Sequence, residues 1–427
     1  MTTYLKSPRT SSSEASAEVR DTVSEILLDI EQGGIDALRR WSLQLDDWNP
    51  ESFLIAESEF EQAASSLSDE LKAHIAFAQD QVRAFAQAQL ASLSDVEVEL
   101  GKGVVLGHRH IPVGTVGAYV PGGRYPMLAS SFMTVLVAKV AGVGQVVGCA
   151  PPQRDAGMHP AMLYAMRTSG ADTIVCLGGV QGLAAMAFGL IDGVAPVDML
   201  VGAGNAFVAE AKRQLFGRVG IDLLAGPTEV LVIADETADP ELVAADLLGQ
   251  AEHGPTSPAG LIAIGEEVAR AALEAVERLM AQPATAAVAI AAWREHGWIA
   301  VAADDEEAIA LADEAANEHL EVQVTEEKLD MYLARLRNYG SLFLGDQATV
   351  AYGDKGVGTN HVLPTNRAAR YTGGLWVGKF LKTVTYQRLT ADGTGRVAPA
   401  IEAICNAENF TGHALTARMR LDRLARA

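Results

Sequence analysis

Cysteine is scarce in this chain. Three residues in 427 (Cys149, Cys176 and Cys405), with no C-x-x-C pair, exclude a disulfide framework and point to a reducing compartment. Positive charge is scarce as well: 33 Lys and Arg stand against 54 Asp and Glu, a net charge of −21. Binding phosphate rewards clustered cations, so no nucleic-acid or anionic-membrane partner is expected. Long apolar runs are missing too. The stretch 131–151 is broken by Lys139 and several glycines, too interrupted for a bilayer span. The opening MTTYLKSPRTSSSEASAEVRD has no apolar core of a secretory leader. These absences lead us to expect a soluble, cytoplasmic protein.

What is present is apolar residue, 49% of the chain, in a length about three times the usual ~100–150 residues of a domain. More than one core is therefore expected. Residues 16–32 carry apolar positions at helical spacing and stop at Gly33-Gly34, and 57–93 continue with alanine-rich helix formers. From about residue 104 short β-branched runs (115–120, 145–149, 173–176, 198–201, 229–234) alternate with helical segments (128–141, 157–169, 180–189, 205–216). The rhythm resumes with helices at 238–253, 266–283 and 305–317 and strands at 260–264 and 298–302. Such alternation predicts an α/β fold of two doubly wound, Rossmann-like parallel-sheet units, with helical N- and C-terminal segments. No repeat of 20–50 residues and no low-complexity block interrupts it.

Strand ends in the first unit carry glycine turns: Val120-Pro121-Gly122-Gly123, Leu177-Gly178-Gly179 and Val201-Gly202-Ala203-Gly204-Asn205. Each alone is an ordinary tight turn, and none matches G-x-G-x-x-G; three in one unit point to a nucleotide site. Gln250 and His253 fall at i, i+3 on the last turn of a helix that stops at Gly254-Pro255, a spacing that suits two metal ligands or a simple helix cap. Asn317-Glu318-His319-Leu320-Glu321 puts a carboxylate beside an imidazole at an expected helix end, where they could act as base and water activator or be solvated. The segment 353–365, GDKGVGTNHVLPT, reads as a long glycine-rich loop holding Asp354, Asn360 and His361, of the kind a compact domain keeps for a site. Glu408 and His413 are unremarkable by themselves.

Together these residues resemble the histidinol dehydrogenase family almost end to end. The matching blocks are AYVPGG (118–123), GGVQGLAAMAFG (178–189), GAGNAFVAEAKRQ (202–214), AGPTEVLVIADE (225–236), DLLGQAEHGP (246–255), NEHLE (317–321), GTNHVLPT (358–365) and the Glu408/His413 pair. The resemblance implies one zinc ion per site on Gln250, His253, Asp354 and His413. It implies NAD contacts from Tyr119, Gln181 and Asn205, catalytic roles for Glu318 and His319, and substrate contacts from Thr228, His361 and Glu408. It further implies a homodimer whose sites are shared, His413 coming from the partner subunit. The expected division is a helical arm (1–23), a larger discontinuous α/β domain (24–118 with 228–372), an NAD-binding domain (119–227) and a C-terminal helical tail used in dimerisation (373–427).

Departures from the biosynthetic pattern bear on the substrate. Arg124-Tyr125-Pro126-Met127 follows the Pro-Gly-Gly turn, Asn317 and Ala203 stand where proline is usual, and Thr228 where serine is usual. These features, with Tyr4-Leu5-Lys6, ASSFM (129–133) and YGSLFLG (339–345), resemble a paralogous branch that includes the sulfopropanediol 3-dehydrogenases. Arg124 could hold a sulfonate through charge-assisted hydrogen bonds, or pair with a structural carboxylate. The resemblance therefore implies oxidation of a small polar primary alcohol through the aldehyde to the carboxylate. The first candidate is 2,3-dihydroxypropane-1-sulfonate, giving sulfolactate; the alternative is L-histidinol, giving L-histidine. Two rivals remain: an aldehyde dehydrogenase working through Cys149 or Cys176, and a nucleotide-binding regulatory protein.

Overall fold

The structure is a computed structural model that describes residues 3–7, 14–122, 125–153, 157–282 and 286–426. Arg124, expected at the substrate, lies outside the described residues. Strand β1 (Thr3–Lys6) is followed by three helices, α1 (Glu14–Asp46), α2 (Glu57–Ser66) and α3 (Asp69–Ala91). Helix α1 breaks at Gly34, whose φ of 58° favours glycine, so the expected Gly33-Gly34 stop ends one helical segment and another begins. Strands β2 (Val96–Gly101) and β3 (Val104–Pro112) then form a hairpin.

The first α/β unit runs through β4 (Thr115–Tyr119), α4 (Leu128–Ser131), a π turn (Phe132–Leu136), α5 (Val137–Val140) and β5 (Gln145–Ala150). It continues with α6 (Pro160–Thr168), β6 (Thr173–Cys176), α7 (Gly179–Phe188), β7 (Met199–Val201), α8 (Ala206–Leu215) and β8 (Gly220–Ile221). The second unit comprises β9 (Val230–Ala234), α9 (Pro240–Ala251), β10 (Ala259–Ile264), α10 (Glu266–Met280), α11 (Ala287–His296) and β11 (Trp298–Ala302). After α12 (Asp305–Ala315) come β12 (His319–Gln323), α13 (Glu326–Arg335), β13 (Ser341–Leu344) and α14 (Val350–Lys355). The chain ends with β14 (Leu381–Leu389), α15 (Ala391–Ala407) and α16 (Thr411–Leu424).

The two main sheets share one topology. The first is parallel in the order β6-β5-β4-β7-β8; the second is β1-β11-β10-β9-β12-β13, parallel except for β1. In each, the opening strand lies between the second and the fourth, so the order reverses between β4 and β7 and between β9 and β12. Ligand crevices open at such reversals. Both faces of each sheet are covered, which is why their strands read as unbroken apolar runs; every residue of Val230–Ala234 is buried.

Three expectations are corrected. Residues 3–6 are not part of a helical arm: they pair antiparallel with β11, with Tyr4 edge-on to Trp298, and four residues are too few for a period to show. The helices of residues 14–91, expected in one domain with 228–372, pack chiefly on the first sheet, although α3 also lies against Gly356 and Gly358. Val23, Ile26, Ile30 and Leu38 pack with Val147, Leu183 and Leu200 on one face of the first sheet, and Ile75 and Val82 pack with Phe132 and Leu136 on the other. Each such side chain contributes about 1.5–3 kcal/mol on burial, so the apolar stripe, rather than chain order, decides where these helices dock. Finally, the tail 373–427 is not wholly helical, because β14 pairs antiparallel along β3 from Leu381↔Pro112 to Leu389↔Val104.

Candidate active site

The reversal in the first sheet builds a crevice at the carboxyl ends of β4 and β7. Gly202, just past β7, has φ 119°, and a Cβ there would sit 2.1 Å from the Tyr119 carbonyl oxygen, so only glycine lets the two strand ends approach. Three of the expected cofactor residues lie on this edge. Buried Tyr119 ends β4, and its hydroxyl accepts from Gly179 N at 2.9 Å. Gln181, in the first turn of α7, donates to Asp46 Oδ2 at 2.6 Å and leaves Oε1 buried without a hydrogen bond among the described residues. Asn205 caps α8, its Oδ1 accepting from Phe207 N and Val208 N.

The second cluster sits at the amino ends of β9 and β12, opposite to the end where a crevice is expected, and faces the first unit. Glu318 Oε2 accepts from the Thr228 hydroxyl at 2.5 Å and from Glu229 N at 3.0 Å. The Thr228 hydroxyl in turn accepts from Gln250 Nε2 at 2.5 Å. His319, the first residue of β12, places Nδ1 3.0 Å from the Glu229 carbonyl oxygen, so this nitrogen carries the proton. His319 Nε2 lies 3.5 Å from Asp354 Oδ1 and, among the described residues, is buried without a hydrogen bond. His253 Nε2 stands 3.7 Å from the other oxygen of Asp354. His361 bridges the units, its Nδ1 2.8 Å from the Asp354 carbonyl oxygen and its Nε2 2.8 Å from Ser130 Oγ on α4.

Two readings change here. Glu318 and His319 are not at a helix end: Ala316 adopts φ 51° and closes α12, and the chain turns through Asn317 into a strand. Both side chains are buried, with His319 Nδ1 3.4 Å from Glu318 Oε2. Gly353-Asp354-Lys355 ends helix α14 instead of opening a loop.

The charges are set by burial and proximity. Burial disfavours the charged form of His319, but the carboxylates of Glu318 and Asp354 outweigh it and raise its pKa well above 6.5. Burial alone would raise Asp354; the imidazoles of His319 and His361 and the Lys355 ammonium hold it below the usual carboxylate range instead. Burial lowers His253 and His361; the lone pair of His253 stays available, while that of His361 Nε2 faces the Ser130 hydroxyl. Glu229, partly buried and facing Glu318, is pushed up to about 7 by burial and by that carboxylate. Cys149 and Cys176 are buried, and burial raises both thiols, Cys176 to about 12, which argues against a thiolate nucleophile.

Thus the chain brings Thr228, Gln250, His253, Glu318, His319, Asp354 and His361 together. It does not bring Glu408 or His413, which are exposed at the junction of α15 and α16, where the His413 ring packs edge-on to Phe410. Among the described residues no group of three His, Cys, Asp or Glu side chains is arranged to hold a metal ion. A cleft of about 370 Å³ opens beside His253, lined by Tyr125, Met127, Phe132, Glu252 and Lys355. Sequence reading missed Asp46, Ser130, Glu229 and the buried Lys212–Asp222 pair, which grips the Gly202 peptide. Ser130, Glu229 and Lys212 left a signal, as members of the ASSFM, AGPTEVLVIADE and GAGNAFVAEAKRQ blocks; Asp46 and Asp222 left none. No helix among the described residues is long and apolar enough to cross a membrane.

Comparison with known proteins agrees with this architecture. The sequence profile described as histidinol dehydrogenase matches residues 9–421. A protein of Shouchella clausii (strain KSM-K16) named histidinol dehydrogenase homolog is 52% identical over 99% of both chains. The sulfopropanediol 3-dehydrogenase of Ruegeria pomeroyi is 48% identical over 98% of this chain and 96% of its own. The crystal structure of histidinol dehydrogenase from Elizabethkingia anophelis superposes with a TM-score of 0.90 at 32% identity, over 98% of this chain and 95% of that one. The chain belongs to the histidinol dehydrogenase family.

Proposed function

We propose that this protein is a zinc-dependent, NAD-linked dehydrogenase that oxidises a small polar primary alcohol through its aldehyde to the carboxylate. The observation that carries the reading is His319: Nδ1 is tied to a backbone carbonyl while Nε2 is buried and has no hydrogen bond among the described residues. That is the posture of a base waiting for a substrate proton. Flanking carboxylates make it a strong one.

The donor set fits zinc: a neutral imidazole on His253, an ionised carboxylate on Asp354 and the amide of Gln250. The fourth donor would be His413 of a second copy. Ile401 and Ile404 on α15, Leu415 and Met419 on α16, and Phe410 between them are each about half exposed, an apolar surface that suits burial against another chain. When bound, zinc would polarise the substrate oxygen and NAD would accept a hydride in each oxidation. His319 takes the hydroxyl proton as the C–H bond breaks. Glu318, oriented by Thr228 and Glu229 N, takes a proton from the water that adds to the aldehyde carbon. The hydrate then loses its own proton and hydride, leaving the acid. Tyr119, Gln181 and Asn205 bound the dinucleotide crevice, and Thr228, His361 and Glu408 of the partner copy complete the substrate pocket.

For the alcohol we propose an anionic one, with 2,3-dihydroxypropane-1-sulfonate as first choice. The Ruegeria pomeroyi relative supports it, as do Lys355 on the wall of the cleft and Arg124 in the neighbouring sequence. The second reading, L-histidinol, is favoured by the Elizabethkingia anophelis structure. Turnover of both alcohols by the purified protein with NAD and zinc separates them. Efficient histidinol oxidation without sulfonate oxidation overturns the first choice, and failure with every primary alcohol tested overturns the reaction class.

A further inference from the structure

Alternate residues of a strand share a face, so His319, Glu321 and Gln323 project from β12 toward the same neighbours. His319 meets Gln250 of α9; one helical turn earlier on α9 stands Asp246. Gln323 Nε2 donates to Asp246 Oδ2 at 2.8 Å and to Glu321 Oε2 at 3.3 Å, bridging the two carboxyls. The remaining oxygens reach a third element. Thr349, the N-cap of α14, donates its hydroxyl to Asp246 Oδ1 at 2.9 Å, and Val350 N donates to Glu321 Oε1 at 2.9 Å. Glu321 is fully buried.

We propose that Asp246 and Glu321 are a positioning pair, which ties α9 and α14 to β12 and so fixes Gln250 and His253 relative to Asp354. The inference rests on the zinc reading above. Helix α14 has only six residues, Val350–Lys355, with its start held by this pair and its end carrying Asp354. A shift of the first turn is therefore delivered to the ligand. The pair costs little charge burial: burial and the adjacent Asp246 push the Glu321 carboxyl well up, so a single proton can serve the two groups. A neutral acid can still accept from Val350 N, and so can an amide of the same size.

The test measures zinc dissociation constants by chelator competition in the full-length protein, together with NAD affinity and the melting temperature of the metal-free form. Partners of this kind typically change metal affinity by about 10–100-fold when lost. Glu321→Ala should weaken zinc by that range, while Glu321→Gln stays within about threefold of the wild type and NAD affinity does not change. Should Glu321→Ala fail to fold, Thr349→Val provides the same reading: zinc weakened several-fold, and restored by Thr349→Ser. Zinc bound as tightly by folded Glu321→Ala, or by Thr349→Val, as by the wild type overturns the proposal alone. A wild type that takes up no zinc overturns the zinc reading and the proposal with it.

Discussion

Lys212 and Asp222 offer the most quantitative test of the nucleotide crevice. Their side chains are 1% and 0% exposed, and between them they hold both backbone polar groups of Gly202. Gly202 N donates to Asp222 Oδ2 at 2.7 Å, and Lys212 Nζ donates to the Gly202 carbonyl at 2.8 Å and to Asp222 Oδ1. Lys212→Met keeps the length of the side chain and removes its charge, stranding the Asp222 carboxylate in the interior. Removing one partner of a buried pair costs about 3–5 kcal/mol. Asp222 keeps two backbone donors, Gly202 N and Leu223 N, which places the expected loss near the lower end, about 3 kcal/mol. For a chain of 427 residues, with an unfolding entropy of about 2.1 cal/mol/K per residue, that corresponds to a fall in Tm of roughly 3–4 °C. Because Gly202 shapes the floor of the crevice, KM for NAD should rise about tenfold, equivalent to ~1.4 kcal/mol, with a smaller change in kcat. The double variant Lys212→Met/Asp222→Asn removes the stranded charge and should recover much of the Tm. Scanning calorimetry and initial rates at varied NAD read both effects. A single variant that melts within a degree or two of the wild type, or a double variant that melts below the single, refutes the reasoning.

Other expectations follow from the catalytic cluster. His319→Asn should slow alcohol oxidation by roughly 10²–10⁴, whereas Glu318→Gln should harm aldehyde oxidation more; equal losses on both substrates would contradict the division of roles. Because His319 has its pKa raised well above 6.5 and is proposed to act deprotonated, kcat/KM for the alcohol should fall as pH drops through a limb lying above 6.5, and a profile flat from pH 6 to 9 would oppose it. His253→Ala and His413→Ala proteins should each be inactive. Co-refolding them should restore roughly a quarter of normal activity, since about half the dimers are mixed and each has one intact site; heterodimers without activity would place all ligands in one chain. Lys355→Ala should raise KM for an anionic alcohol and leave that of an uncharged one nearly unchanged, measured side by side.

The doubly wound units were legible because a parallel sheet covered on both faces must be written as apolar runs, and 173–176 or 298–302 can be little else. Segments whose structure depends on distant partners were not legible. LKTVTYQRL becomes a strand only because β3 offers it an edge, and TYLK only because β11 does. The Asn317–Glu321 stretch was misplaced for a related reason: its strand is buried and polar, carrying His319, Glu321 and Gln323, so the usual apolar signal is absent. The expected site residues came from recognisable blocks, yet Ser130, Glu229 and Lys212 of those blocks went unnamed, and Asp46, which reaches Gln181 across 135 positions of sequence, belongs to no block. The rule that ligands sit at strand carboxyl ends located the Tyr119–Gly202 crevice and missed the proposed catalytic cluster, which gathers at strand amino ends.

The central claim is a four-electron oxidation at one site, and the product balance tests it most directly. Limiting alcohol, sulfopropanediol or histidinol according to which is turned over, should be incubated with excess NAD and the zinc-loaded protein until NADH formation stops. The account predicts two NADH for each alcohol consumed, with the carboxylate as product and no aldehyde accumulating in solution, because His319 and Glu318 serve both oxidations within one pocket. One NADH for each alcohol, with free aldehyde as the end product, would contradict it.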